Sequence, residues 1–284
     1  MERTKLLQPT IDVVFQALFG ENGSERITKR FLEEILNEKI ESVDLSENPI
    51  LRREKLDDKM GILDIIAKIN DKEYVNIEMQ MSEEKSIIER LLYYWARKYT
   101  HQMKKSNKYT KLQRTVVVLI ANFNIDKLKD MEYHTKWKII DEKHRKNILT
   151  NNLEMHIIEL NKVKDKENMD NELIDWLSFI KNPYSERAAQ KMEENKELKE
   201  AHEKLKTMSE DEEMQRYAEW RQDGIYLENT LITEGEERGR KIGEKIGRKE
   251  REIEIAKKMK KTGADINYIS NMTELTIEEI KGLD

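Results

Sequence analysis

The residues with the clearest chemical potential lie in two short alternating runs, ILDIIAKI at 62–69 and EYVNIEMQ at 73–80. The first carries Asp64 and the second carries Glu78 and Gln80. Both runs are rich in β-branched residues, and Asn70-Asp71-Lys72 separates them, which predicts a β-hairpin with a three-residue loop. Asp64 stands six residues before Asn70 and Glu78 six after Lys72, so the two acids face each other across the strands. Their Cβ atoms are then roughly 5 Å apart. Side chains alternate, so Asp64, Ile66, Tyr74, Asn76, Glu78 and Gln80 share one face. Leu63, Ile65, Ala67, Val75, Ile77 and Met79 share the other, which is wholly apolar and must be core. Like charges set opposite one another destabilise a hairpin. Three arrangements remove the conflict: a solvated face with lysine neighbours, a register slip, or a divalent cation between the acids. Magnesium suits the last, because it takes one or two carboxylates, keeps waters and is completed by substrate phosphate.

The elements that position this hairpin follow from periodicity. Residues 10–19 place Ile11, Val14, Phe15, Leu18 and Phe19 at helical spacing, ended by Gly20. Residues 24–38 repeat the pattern through Ile27, Phe31, Leu32 and Ile35, with Ser24 as the expected cap. Residues 83–104 return to helix. TVVVLIA at 115–121 reads as a buried strand at the sheet's centre, with further strands near 133–140 and 153–160. The order is helix, helix, strands, helix, strand, the pattern of a mixed α/β sandwich.

Composition narrows the function classes. There are no cysteines among the 284 residues, so disulfides and thiolate zinc sites are excluded. None of the five histidines has ligand spacing, and no glycine-rich phosphate loop is present. The start lacks a signal peptide's apolar core, and no run reaches the ~18 apolar residues of a membrane span. A cytoplasmic protein without membrane contact is therefore expected. The formal net charge is −5, so contact with a nucleic acid must come from local clusters such as Arg90, Arg97, Lys98, Lys104, Lys105 and Lys108.

Gly61 to Asp64, followed by Asn76 to Gln80, resembles the active-site core of the PD-(D/E)XK nuclease superfamily. More narrowly, the chain resembles the recombination-promoting nuclease, or putative transposase (Rpn), family. The opening Asp12 to Gly20, the Glu78-Met79-Gln80 triplet, and Arg90 to Trp95 leading to Tyr99 and Tyr109 all carry that likeness. Ile158-Glu159-Leu160 and the glycine-repeat tail complete it. The resemblance implies a restriction-endonuclease-like mixed-sheet sandwich with a charged helical extension at its C-terminus. It also implies a divalent-metal-dependent DNA endonuclease tied to recombination or mobile elements, using magnesium, or manganese or calcium in its place. Asp64 and Glu78 are then metal ligands, Gln80 joins them in catalysis, and Asp12 matches the superfamily's N-terminal acid. Read by itself, Asp12 equally suits a helix N-cap or a first-turn acid favoured by the helix dipole. Gln80 stands where the superfamily has lysine. A glutamine orients water but neither takes a proton nor carries positive charge, so modest chemistry is expected. Gln16 likewise stands where a lysine is common. Arg90 and Lys98 are the DNA-contact candidates. Arg90 suits a phosphate near the metal or a salt bridge to a neighbouring acid. The rival reading is a nuclease-fold protein, catalytically weak or inactive, acting as an interaction or oligomerisation module.

Charge rises after Pro183, and three segments are expected: a nuclease-like domain over 1–182, a charged helical and glycine-repeat extension over 183–250, and a small helical tail over 251–284. Met192, Leu198, Ala201, Leu205 and Met208 give a thin seam that suits helix pairing, hence a homo-oligomer through the C-terminal helices. A chain ending near Asn182 is accordingly expected to fold. Ser209 to Glu212 has capping-box spacing. Gly235, Gly239, Gly243 and Gly247 repeat every four residues, fitting either close helix packing or a marginal, solvated tether. The last two short helices resemble a helix-turn-helix, but Glu278 and Glu279 unsuit the second for reading DNA.

Overall fold

The computed structural model describes residues 5–48, 65–103, 108–164 and 170–283. Asp64 lies outside the described residues, as do Gly61, Lys104 and Lys105. The chain forms two compact units, Met1–Ile225 and Tyr226–Asp284.

In the first unit, helices α1 (Asp12–Gly20) and α2 (Glu25–Leu36) precede a two-residue strand β1 (Val43–Asp44). Then come β2 (Ile65–Ile69), β3 (Glu73–Gln80), α3 (Ile87–His101), β4 (Thr115–Ala121), β5 (His134–Ile140) and β6 (Ile148–Glu159). Helices α4 (Glu172–Lys181), α5 (Glu186–Glu194) and α6 (Lys196–Glu210) follow, with the start of α7 (Glu212–Lys261). The strands form one sheet in the order β1-β2-β3-β4-β6-β5. β3, β4 and β6 run parallel, and the flanking pairs are antiparallel. This is the mixed α/β sandwich that the periodicity predicts.

The β2–β3 hairpin has the expected register, with Ile65 opposite Ile77 and Ile69 opposite Glu73 around Asn70-Asp71-Lys72. Asn70 and Asp71 both adopt positive φ, 52° and 58°, which their short polar side chains tolerate better than most. Strand β4 is buried along its whole length, as a central strand with helices on both faces must be.

The sheet's faces are covered unequally. One carries a large core in which Val75, Ile77, Val116, Val118 and Ile120 meet α1, α2, α4, α5 and α6. Phe15, Phe19, Phe31 and Trp176 form its aromatic centre, with ring centroids 4.7–6.1 Å apart. The other face carries a smaller core, in which Val117, Leu119, Ala121, Met155 and Ile157 meet Ile87 and Leu91 of α3.

Several expectations are corrected here. The first unit runs to Ile225, so the boundary expected at Asn182 falls inside it. The thin seam is core: Leu198, Ala201 and Leu205 are fully buried against the α1–α2 layer. An amphipathic helix needs only one narrow stripe when a ready-made apolar surface receives it. α4, unread from the sequence, supplies Trp176 and Phe179 to the same core. Ser24 sits at the N-cap position of α2 but makes no side-chain cap; its hydroxyl accepts from Lys204 Nζ at 2.5 Å. Ser209 lies within α6 and accepts from the Leu7 N–H, while Asp211 caps α7 through the Glu213 and Met214 N–H groups.

In the second unit α7 continues unbroken to Lys261, through the glycine repeat and through the boundary expected at residue 250. A Cβ added at Gly235, Gly239, Gly243 or Gly247 would meet nothing within 4 Å, so the glycines accommodate no packed neighbour in this chain. Gly263, at φ +80°, follows the helix end. Helices α8 (Ile266–Thr273) and α9 (Ile277–Lys281) close over Ala256 through Ile269, Leu275 and Ile280. The Thr276–Glu279 capping box forms as expected, and Glu274 takes the positive φ where glycine is usual. No helix among the described residues is long and apolar enough to cross a membrane.

Candidate active site

Strand alternation decides which β3 side chains are available for chemistry. Val75, Ile77 and Met79 enter the large core. Asn76, Glu78 and Gln80 point to the α3 side, level with Val117, Leu119 and Ala121 of β4. Glu78 is only 6% exposed, and a carboxylate so placed must be compensated. Arg90 provides the compensation. Helix α3 anchors Ile87 and Leu91 in the smaller core, which turns Arg90 back over β3. One guanidinium nitrogen, Nη2, donates to Glu78 Oε1 and to Gln80 Oε1, the latter at 2.9 Å. The other, Nη1, donates to Glu84 Oε2. The Gln80 amide nitrogen donates to the Ser82 carbonyl at 3.3 Å, so both ends of that side chain are held. The Arg90 guanidinium also lies 6.0 Å from the centre of the Tyr94 ring. Arg90 thus clamps the strand's acid, its glutamine and a helix-entry acid at one point. Of its two expected roles, the ion pair to neighbouring acids is the one seen.

The sequence candidates distribute as follows. Glu78, Gln80 and Arg90 are brought together. Asp64 immediately precedes Ile65, whose partner across the hairpin is Ile77, and Glu78 immediately follows Ile77. Asp12 opens α1, where Oδ1 accepts from the Val13 N–H at 2.8 Å and Oδ2 accepts from Arg221 Nε at 2.6 Å. The helix-terminus reading accounts for the Oδ1 contact, while Oδ2 is engaged by the Arg221 guanidinium. Lys98 pairs with Glu47 Oε2 at 2.5 Å and lies 4.3 Å from the centre of the Tyr74 ring. Among the described residues, no three His, Cys, Asp or Glu side chains are grouped to hold a metal ion. The aromatics of α3 are mostly structural: Trp95 stacks on Tyr99 at 4.8 Å and donates to the Thr115 carbonyl, while Tyr93 stays 62% exposed.

Two groups of charged residues went unread. Glu84 is one, and its signal is an acid beside a helix start, six residues ahead of a basic partner. The other is a network at the far edge of the sheet. Glu154, fully buried, accepts from Arg114 (3.0 Å), Lys136 (2.7 Å), Lys138 (3.0 Å) and His156 (2.8 Å). Burial works to raise its pKa, but those four donors outweigh it and hold the carboxyl well below the ordinary range. His134 touches His156 ring to ring at 2.8 Å, and burial, His156 and Lys136 push its pKa down to about 4. Alternating lysines at 136 and 138 opposite an alternating acid and histidine at 154 and 156 were the available signal.

Comparison with curated proteins gave no match, and comparison with solved structures gave none. Residues 9–231 match the profile described as PD-(D/E)XK nuclease family transposase. The matched stretch takes in the sheet, both its helical layers and the start of α7, ending close to the limit of the first unit. With a mixed sheet carrying an acid and a glutamine two residues apart on a strand beside the central one, and a profile match over most of its length, the chain belongs to the PD-(D/E)XK nuclease family of transposases.

Proposed function

We propose that this chain is a divalent-metal-dependent DNA endonuclease whose site is centred on Glu78, Gln80 and Asp64. The observation that carries the reading is the burial of the Glu78 carboxylate beside Gln80 on the sheet face that carries the smaller core with α3. The donor set fits a hard cation: Glu78 offers carboxylate oxygens, Gln80 an amide oxygen, and Asp64, next in sequence to the hairpin partner of Ile77, a second carboxylate. A bound divalent cation supplies Lewis acidity toward phosphate and makes water a better nucleophile. Glu78 and Asp64 hold the charge of that site. Gln80 orients water by a hydrogen bond and leaves proton removal to another group. Arg90 keeps Glu78 in place and, when its guanidinium turns from the carboxylate, offers a fork that matches a phosphate. Lys98 adds a positive charge on the same helix. The family supports a link to transposition or recombination, and the exposed Leu231, Ile242 and Ile246 on α7 support self-association through the C-terminal helices.

The experiment is a nicking assay on supercoiled plasmid with magnesium, manganese or calcium. Magnesium-dependent nicking should be abolished in Asp64→Asn and in Glu78→Gln. Nicking that persists in both, with contaminating nuclease excluded, overturns the site. A second reading, an interaction module without activity, is favoured by the engagement of Glu78 with Arg90 and by glutamine at position 80. Metal-dependent stabilisation separates the two: a rise in Tm with magnesium, lost in Asp64→Asn, supports the enzyme. No response supports the module.

A further inference from the structure

Glu78 is level with Leu119 of β4, and Leu119 with Ile157 of β6. From Ile157, β6 runs back nine residues to Ile148, where it pairs with Ile140 of β5. The last residue of β6 paired to β4 is Leu153, opposite Thr115. The register shifts between Lys138 and Ile140, so β5 covers the same span in the five residues from Thr135 to Ile140. The β5–β6 hairpin therefore projects past the end of β4, and its tip lies roughly 15–20 Å along the strand from the level of Glu78 at ~3.3 Å per residue.

Three features distinguish this projection. First, it is basic in a chain of net charge −5: residues 134–149 hold five Lys or Arg against two acids. Lys143, Arg145 and Lys146 are all exposed in the turn that joins the strands. Second, apolar groups are interleaved with the charge, with Trp137 39%, Ile140 46% and Leu149 79% exposed. Third, it is continuous with the candidate site's face. Trp137 pairs with Met155, so both lie on the face of the smaller core, under α3. The C-terminal half of α3 reaches the base of the projection, where Trp95 Nε1 donates to the Asn152 carbonyl and Asn152 donates to the Tyr99 hydroxyl at 3.0 Å. Trp137 and α3 thus lie on one side of the sheet from the Glu78 level outward.

We propose that the β5–β6 hairpin is a DNA-gripping wing. Lys143, Arg145 and Lys146 neutralise phosphates about half a turn of duplex, roughly 15–20 Å, from the backbone position served by Glu78, and Trp137 lies against the sugar edge. This rests on the DNA-cleaving reading. A protein of negative net charge needs local cationic elements to hold a polyanion, and among the described residues this hairpin carries exposed cations past the end of β4. A hairpin tip also tolerates contact without disturbing the core, because Lys143, Arg145 and Lys146 are exposed.

The test uses the full-length protein in EDTA, so that binding is read without cleavage, with fluorescence anisotropy on duplexes of 10 and 30 base pairs. The triple variant Lys143→Gln/Arg145→Gln/Lys146→Gln should weaken binding to the longer duplex at low salt on the order of tenfold. It should also reduce the slope of log affinity against log salt on the longer duplex by about 3. Trp137→Ala should weaken the longer complex without changing the slope. An unchanged affinity and slope for the triple variant overturns the wing. So does a variant whose sedimentation changes while its DNA binding does not, which would mark the exposed strand β5 as a contact between copies of this chain. Failure of the nuclease reading looks different: the wild-type chain binds DNA through the wing yet nicks no plasmid with any metal. A wild-type chain that binds neither duplex overturns both. Every substituted lysine or arginine is exposed, so an unaltered circular dichroism melt is the expected control.

Discussion

The two faces of the sheet differ in what they exclude. On one, five helices close over an apolar layer whose members are almost all under 5% exposed, and α4 and α5 are locked through Arg187 Nε on Asp175 at 2.6 Å. On the other, among the described residues, α3 and the short segment around Phe123, Ile125 and Leu128 cover the sheet, and the polar side chains Asn76, Glu78 and Gln80 stand where the first face has Val75, Ile77 and Met79. One strand thus serves stability and chemistry in alternate residues. The thinly covered face can spare room for a substrate because the thickly covered one supplies the burial that holds the sheet.

The strongest way to break this contrast is to uncover the helical face. A chain ending at Asn182 loses Ala188, Leu198, Ala201 and Leu205 from the core. Burying one leucine contributes roughly 1.5–3 kcal/mol, against a total stability of about 5–15 kcal/mol. With the apolar ground beneath α5 and α6 also exposed, this fragment should show no cooperative thermal transition. A fragment that melts cooperatively would mean that α1, α2 and α4 close the face by themselves.

On the other face the effect is smaller and specific. Glu78→Ala leaves Arg90 with one fewer carboxylate in a partly buried position and should cost roughly 1–3 kcal/mol in urea unfolding. Glu78→Gln keeps an acceptor for Nη2 and should cost less than half as much. Equal losses would argue that charge, not the hydrogen bond, anchors α3 to β3.

How far the sequence discloses these two faces depends on the range of the forces involved. The hairpin register is legible because a period of two and a three-residue loop with Asn70 and Asp71 leave one pairing. The all-apolar run at 115–121 is legible as a central strand. The Glu78–Arg90 contact is harder to read, since it joins a strand to a helix across twelve residues and depends on how α3 is rotated over the sheet. The part played by α5 and α6 is hidden for another reason. Their charged residues dominate any local count, while the apolar surface that gives Leu198 and Leu205 their value belongs to α1 and α2. Ser24 shows the same limit: a hydroxyl at a helix start predicts a cap, and a lysine 180 residues away takes it instead.

Acid tests the rim of the helical face. His134 titrates near pH 6.5 in an unfolded chain, whereas burial beside His156 and Lys136 holds it down to about 4 in the fold. Between those values the unfolded chain takes up a proton that the folded chain refuses, so stability must fall as pH drops from about 6.5 to about 4. His134→Gln should flatten that part of the profile while leaving stability at neutral pH within about 1 kcal/mol. Urea midpoints measured across pH 4–7 check it. The steeper loss expected at lower pH, where Glu154 gains its proton, should persist in the variant.

The smallest effect separates stability from substrate contact on the α3 side. Lys98 makes an ion pair with Glu47 and lies over the Tyr74 ring, and both partners are reached by a long, partly exposed side chain. Surface ion pairs contribute about 0–1 kcal/mol and exposed cation–π contacts roughly 0.5–1 kcal/mol. Lys98→Gln should therefore lower stability by no more than about 1 kcal/mol. If Lys98 also meets a phosphate, the same variant should lower the salt slope of DNA binding by about 1, because one fewer phosphate is neutralised. The two readouts move independently: a stability loss with an unchanged slope would confine Lys98 to holding α3 against β3, while a lowered slope would extend the DNA-facing side of the molecule from Arg90 along the helix.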